Sequence, residues 1–371
     1  MNIKTSSKSQ KGIYIPRGLL LQWHITERCN LRCSHCYQEG YSGEELGYQD
    51  MLRILEQFKV LLEFWRDETS SHPVRGHITV TGGEPFARRD FIDLLEVFSS
   101  NKKLFSFAIL TNGSFIDQTL ARQLVHFNPL FVQVSVEGTQ ATHDKIRGSG
   151  NFEQTITALK HLVRERIRTY ISFTAHRNNF REFTEVARLG MKLKVARVWA
   201  DRLIPWGTGS TLKKQVLTPD ETREFFEIMY KARIKASHGW FGRTEIAMHR
   251  ALQFLVVGGR PYHCTAGDTL ITVQPNGDVY PCRRMPISVG NVMQTPLIDL
   301  YYKRDLFLAL RDRYRISDGC QSCSYAKLCR GGLKCLSYAV TGNPFEADPG
   351  CWLASIQDKT AGLKIVVDSK T

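Results

Sequence analysis

Short apolar runs alternate with amphipathic stretches through roughly the first two hundred residues. The apolar runs at 19–25, 77–81, 105–111, 131–136, 169–175 and 195–204 are rich in β-branched and aromatic residues and predict strands. Between them, windows near 48–67, 90–101, 116–127, 151–166 and 179–193 place apolar residues at three- and four-residue steps and predict helices. Six such units imply a parallel sheet with helices outside. A doubly wound sheet alternates in the same way, but the loops favour a barrel. "TERCNLRC", "GGEP", "NG", "EGT", "HRNN" and "PWGTG" each follow directly on a strand. In β/α barrels the site is assembled from the loops at the C-terminal strand ends, so six unusual loops describe one ring-shaped site.

Beyond residue 211 the pattern changes. The stretch 212–260 reads as helical, and "LTPDETREFF" opens with Thr218 as N-cap, Pro219 at N1 and Glu221 at N3, a capping box. "LITVQPNGDVYPC" (270–282) predicts a hairpin turning at Asn276–Gly277, and the rest is cysteine-rich and loop-like with one helix near 297–313. The expected organisation is a frayed terminus at 1–17, a barrel at 18–211, a helical bridge at 212–262, a cysteine-rich domain at 263–360 and a tail at 361–371. The fold class is therefore α/β, a partial (β/α)6 barrel followed by a small cysteine-rich domain.

The loop "CNLRCSHC" places Cys29, Cys33 and Cys36 together, one short of a tetrahedral zinc set. Three thiolates hold three irons of a cubane [4Fe–4S] cluster and leave the fourth iron open. A zinc site completed by a distant ligand, or three unrelated cysteines, are the alternatives. Seven further cysteines lie between 264 and 351, and only Cys320 and Cys323 form a C-x2-C knuckle, whereas a zinc ribbon needs two. In a reducing compartment these ten cysteines are expected to be ligands or catalytic groups before disulfides.

The spacing C-x3-C-x2-C on the loop after the first strand resembles the signature of radical S-adenosylmethionine (SAM) enzymes. The resemblance implies that Cys29, Cys33 and Cys36 carry a cluster, that SAM chelates its open iron, and that one electron splits SAM into methionine and a 5′-deoxyadenosyl radical. His35 stands at the usually aromatic position beside adenine, with Tyr37 just beyond as a second adenine shelf or a core aromatic. "TGGEP" is similar to the family loop that holds the amino group of SAM, which assigns Gly82, Gly83, Glu84 and Pro85 to that role and puts Glu84 in the catalytic set. In "SVEGTQATHDKIRGSGNF" the resemblance implies that Ser135 reaches the ribose and Arg147 the SAM carboxylate, with Glu137 where the family usually has Asp. Arg147 reads equally as a surface ion-pair partner, and Asn112 is a further candidate for the same pocket.

The seven later cysteines are similar to the SPASM extension of radical SAM enzymes, which carries two auxiliary [4Fe–4S] clusters. Carried over, Cys264, Cys282 and Cys335 hold the first, and Cys320, Cys323, Cys329 and Cys351 the second. The late segment departs from the common C-x3-C spacing, since five residues separate Cys329 from Cys335. No additional cysteine follows Cys264 closely, so the first auxiliary cluster has an open iron or a noncysteine ligand, with His263 as a candidate.

Composition narrows the partners. The chain of 371 residues carries a formal charge of +14 and has no apolar window long enough to cross a membrane. Nothing addresses it to export, so the cytoplasm is the expected compartment. The charge suits an acidic peptide or a carboxylate-rich tetrapyrrole, and no nucleic-acid-binding motif is present. The resemblance implies an enzyme that consumes SAM with three [4Fe–4S] clusters and an external donor of flavodoxin or ferredoxin type. The first reading is maturation of a ribosomally made peptide by cross-linking or side-chain oxidation. About twenty residues precede the first strand, so leader recognition would fall to a separate protein or to the barrel face. Alternatives are a formylglycine-type sulfatase maturase, an enzyme of haem or haem d1 precursors, and a noncatalytic iron–sulfur electron carrier. Arg202 and Trp206, in "RLIPWGTG", are expected either at the substrate or packed on the rim.

Overall fold

The computed structural model describes residues 13–68, 74–238 and 244–354. The expectations for residues 1–12 and 355–371 lie outside the described residues. Strands β1 (Gly18–His24), β2 (Arg75–Thr81), β3 (Phe105–Thr111), β4 (Val132–Ser135), β5 (Thr169–Ala175) and β6 (Arg197–Arg202) fall on the predicted runs. They pair in parallel in sequence order. Their interleaved helices are α1 (Tyr48–Glu68), α2 (Phe91–Ser100), α3 (Gln118–Phe127), α4 (Gln140–Arg147), α5 (Asn151–Arg164) and α6 (Phe183–Leu193). Sheet residues facing the helices are fully buried, as parallel sheets covered by helices require. Ile78, Phe107, Val134 and Ile171 are at most 1% exposed. Phe98 on α2 packs edge-on and tilted against Trp23 of β1 and Phe105 and Phe107 of β3, which seats that helix across the sheet between those two strands.

The long helix α7 (Pro219–Ser237) starts at the predicted capping box: Glu221 N donates to Thr218 Oγ1 at 3.2 Å and Thr218 N to Glu221 Oε2 at 2.8 Å. The structure differs from the expectation after it. Residues Glu245–Ala247 form β7, parallel to β6, inside the stretch expected to be helical, and only Phe254–Val257 (α8) follows as helix. Three residues are too short a run for periodicity to separate strand from helix. The predicted hairpin is present as β8 (Leu270–Val273) and β9 (Val279–Tyr280), and β8 also pairs in parallel with β1. Among the described residues the sheet therefore has nine strands in the order β7-β6-β5-β4-β3-β2-β1-β8-β9.

The single helix expected near 297–313 is two, α9 (Leu297–Lys303) and α10 (Asp305–Arg311), because Arg304 between them is extended at φ −90° and ψ 125°. Two further helices, α11 (Ala326–Cys329) and α12 (Lys334–Thr341), lie in the segment expected to be loop-like. Two buried ion pairs fix this segment to the last barrel strands. Arg202, ending β6, makes a bidentate pair with Asp348 at 2.7 and 2.6 Å. Arg284, just after β9, pairs with Asp201 at 2.7 Å. The cysteine-rich segment is thereby held over the C-terminal mouth of the barrel.

Candidate active site

The mouth opens into a cleft lined by loops from β1 to β6 and by Arg283 and Arg284. Its first wall is the loop after β1. Glu45 closes this loop at its start by accepting from Thr26 Oγ1 at 2.5 Å, from Glu27 N at 2.8 Å and from Arg28 Nη2 at 2.7 Å. The two glycines of "GGEP" press directly on it. Gly83 N donates to Thr26 O and Glu84 N to Arg28 O, both at 2.8 Å. A Cβ at Gly83 would stand 2.4 Å from Arg28 O, and one at Gly82, whose φ is 154°, 2.4 Å from Thr26 O. These glycines therefore serve a backbone-to-backbone approach, holding the cysteine loop at the mouth.

From the other side the loop after β6 does the same. Gly209 N donates to Cys36 O at 2.7 Å, and a Cβ at Gly207 would lie 2.4 Å from Gln38 O. Arg202 both lines the cleft and packs on the SPASM segment, whereas Trp206 packs on the rim. Arg202 is paired with Asp348, and Trp206 stacks on Tyr338 at 5.5 Å while its Nε1–H donates to Glu39.

Cys29, Cys33, His35, Cys36, Tyr37, Gly82, Gly83, Asn112, Ser135 and Arg147 all line the cleft. Glu84 and Pro85 lie behind it, which differs from the contact expected of Glu84. The Glu84 carboxylate is fully buried and accepts from Thr111 Oγ1 at 2.8 Å, Asn112 N at 2.7 Å and Phe86 N at 3.3 Å. It ties the glycine turn to the end of β3, and burial, only partly offset by these donors, pushes its carboxyl up to about 7. Pro85 opens the short 3-10 turn Pro85–Ala87.

Arg147, at the end of α4, is buried rather than a surface partner. Its Nη2 stands 2.5 Å from Glu137 Oε1, and its Nη1 3.9 Å from Cys33 Sγ. Glu137 also lies 3.4 Å from His35 Nε2 and accepts from Thr174 N at 2.9 Å. Burial alone would raise the Glu137 carboxyl, but the charges of Arg147 and His35 hold it well below its ordinary value. Asn112 Nδ2 donates to Asn30 at 2.9 Å, linking the cysteine loop to the β3 loop, and Ser135 Oγ sits 3.3 Å from Ser172 Oγ. Gln133, Ser172, Thr174 and Trp199 also line the cleft, with Trp199 Nε1 donating to Gln133 Oε1 at 2.7 Å across it. Sequence reading missed them, although their inward positions on predicted strands were a usable signal.

None of the ten cysteines is in a disulfide. They fall into three groups close enough to influence one another's ionisation: Cys29 with Cys33 and Cys36, Cys264 with Cys282 and Cys335, and Cys320 with Cys323, Cys329 and Cys351. Among the described residues no three His, Cys, Asp or Glu side chains converge as a single ion requires. Cubane ligands stand farther apart because each binds its own corner iron. Burial pushes Cys33 and Cys320 up to about 11 and Cys329 to about 12, so these thiolates are stable only against a cation. The group of four lines a second, smaller pocket of about 340 Å³ with Tyr325 and Asp348. His263 lies against Tyr262, and apart from burial the groups that bear on it are Arg330, Asp268, Arg260 and Arg313.

Comparison with known proteins agrees with this geometry. Residues 23–190 match the Radical SAM superfamily and residues 264–324 the SPASM iron–sulfur cluster-binding domain. The chain belongs to the radical SAM enzymes that carry a SPASM extension, so it uses SAM and [4Fe–4S] clusters. It is 26% identical over 359 residues to the Fe-coproporphyrin III synthase of Methanosarcina barkeri (strain Fusaro), covering 89% of this chain and 87% of that protein. It is 27% identical over 357 residues to the mycofactocin maturase MftC of Mycobacterium tuberculosis (strain H37Rv), covering 92% and 84%. The structure of Streptococcus suis SuiB bound to S-adenosylmethionine superposes with a TM-score of 0.69 at 18% identity, over 90% of this chain and 77% of that one.

Proposed function

We propose that this enzyme is a maturase that oxidises a peptide substrate held between the barrel mouth and the SPASM segment. The observation that carries the reading is the cleft itself, a single large space whose walls come from both domains. Likeness to a mycofactocin maturase over most of both chains supports a peptide as the substrate class. Cys29, Cys33 and Cys36 hold the SAM-binding cluster, Cys264, Cys282 and Cys335 the first auxiliary cluster, and Cys320, Cys323, Cys329 and Cys351 the second. When bound, these groups and SAM supply a 5′-deoxyadenosyl radical at the mouth and acceptors for the electron left on the substrate.

The protein's own residues orient and shield. Gly82 and Gly83 offer the edge of the β2 loop to the SAM amino group, with Glu84 as the positioning residue behind them. Ser135 and Asn112 offer hydrogen-bonding groups to the nucleoside, and His35 and Tyr37 offer flat rings to adenine. Arg147, its charge balanced by Glu137, presents Nη1 toward the cysteine loop and is placed to receive the SAM carboxylate. Domain limits near 211 and 263 are part of this reading, with the two ion pairs and the β1–β8 pairing joining the barrel to the SPASM segment.

A second reading is favoured by the likeness to Fe-coproporphyrin III synthase. A tetrapyrrole with several carboxylates would suit a cleft lined by four arginines, Arg147, Arg202, Arg283 and Arg284. One experiment separates the readings. Reconstituted enzyme is reduced with SAM in the presence of either short peptides encoded beside its gene or a carboxylate-rich iron porphyrin precursor. The peptide reading expects 5′-deoxyadenosine together with loss of hydrogen mass from a peptide. Turnover of the porphyrin alone would overturn it.

A further inference from the structure

The four arginines of the cleft are not equivalent. Arg147 is neutralised by Glu137, Arg202 by Asp348 and Arg284 by Asp201, each pair at 2.7 Å or less and each arginine side chain at most 14% exposed. Arg283 has no carboxylate partner among the described residues. Its guanidinium lies 5.5 Å from the ring centroid of Tyr37, and its buried Nε–H has no acceptor. His24, at the end of β1, is close enough for the Arg283 charge to oppose its protonation. It is 6% exposed, and its Nε2 is likewise unpartnered. A buried donor without an acceptor costs stability, and a cleft guanidinium that faces the Cys282 sulfur but no carboxylate can still take an anion brought by a ligand.

We infer that Arg283, on the ring of Tyr37, is the anchor for a carboxylate of the substrate. The fork of the guanidinium fits a carboxylate in two-point contact, and the aromatic ring beneath it fixes its plane. Two sources could bring that carboxylate, an acidic residue of the substrate or the methionine end of SAM. Position favours the substrate. Arg283 follows Cys282 on the SPASM side of the cleft, whereas the glycine turn, Ser135 and Arg147 occupy the loops after β2 and β4. The inference rests on the cleft being the active site and deepens the peptide reading by requiring a Glu, an Asp or a C-terminal carboxylate near the reacting position.

The test uses SAM-loaded holoenzyme and a library of random nonapeptides with a central Glu, mixed with an otherwise identical library with a central Gln. Bound peptides are quantified by mass spectrometry, and SAM affinity is measured separately. Wild-type protein is expected to enrich the Glu members about tenfold over the Gln members, the size of one charge-assisted contact. In Arg283→Gln the ratio should fall to about one and in Arg283→Lys to an intermediate value, as expected when a point charge replaces a two-point fork. SAM affinity should stay within about twofold in both, the scatter expected for a side chain that does not touch it. An enrichment that survives Arg283→Gln reflects the general basic charge and overturns the inference. So does a loss of SAM affinity with the Glu preference intact, which would assign the carboxylate to SAM. If neither library binds but the carboxylate-rich iron porphyrin precursor does so in an Arg283-dependent way, the anchor stands and the peptide reading falls. If none binds, the anchor falls as well.

Discussion

The two walls of the cleft are built by different means. On the barrel side the cysteine loop is gripped by backbone: Gly82, Gly83, Gly207 and Gly209 let the loops after β2 and β6 approach it closely enough for direct N–H···O contacts. On the SPASM side the segment joins the barrel edge through the β1–β8 ladder, but what holds it over the mouth is side chains: the Arg202–Asp348 and Arg284–Asp201 pairs and the Trp206–Tyr338 stack. Backbone contacts tolerate no added atom and hold the SAM pocket rigidly. Side-chain ion pairs hold one domain over another and are costly to break by halves, because the partner left behind is a buried charge. Damage on the two sides should therefore differ in kind.

The largest effect is expected from Cys33→Ala, which should reduce 5′-deoxyadenosine formation to background while iron analysis shows loss of about four of about twelve irons per chain. Next comes Gly83→Ala. Its Cβ would meet Arg28 O at 2.4 Å, so the cysteine loop must move. SAM affinity should fall by at least about tenfold while the thermal midpoint drops by only a few degrees, consistent with about 1 kcal/mol of local strain. Asp348→Ala should behave in the opposite way. It leaves Arg202 buried without a partner, at a cost of about 3–5 kcal/mol, with the second auxiliary cluster becoming the most labile to chelators and SAM affinity little changed. Equal effects of both variants on SAM affinity would erase the distinction between the walls.

The smallest effect concerns pH. Glu137 is held well below its ordinary value near 4.5, so its contribution to stability is complete above that pH and is lost as the pH falls further. Glu137→Gln should lower stability at neutral pH and flatten the acid limb of the stability profile. An acid limb unchanged from the wild type would place the titration elsewhere.

The barrel and the cysteine triplet were legible in the sequence because their signals are local. Strand runs, turn glycines and thiol spacing lie within a few residues of one another, and the predicted strands agree with the observed ones to within a few residues. What sequence reading missed is long-range or too short to have a period. The Arg202–Asp348 pair joins residues 146 positions apart, and Asp201–Arg284 spans 83. The three residues of β7 carry no recognisable alternation. The resemblance of "TGGEP" to the family loop implies that Glu84 faces the SAM amino group, but the 3-10 turn opened by Pro85 aims its carboxylate at β3. The orphaned Arg283 could be found only once its neighbours' partners were known.

The most direct test of the account follows the electron paramagnetic resonance of the reduced, fully reconstituted protein as SAM is added. SAM is expected to perturb one cluster signal of three, and in the Cys29/Cys33/Cys36→Ala variant that signal and SAM cleavage should both be gone while the other two signals persist. Cleavage of SAM by that variant would contradict the assignment of the open iron to this loop.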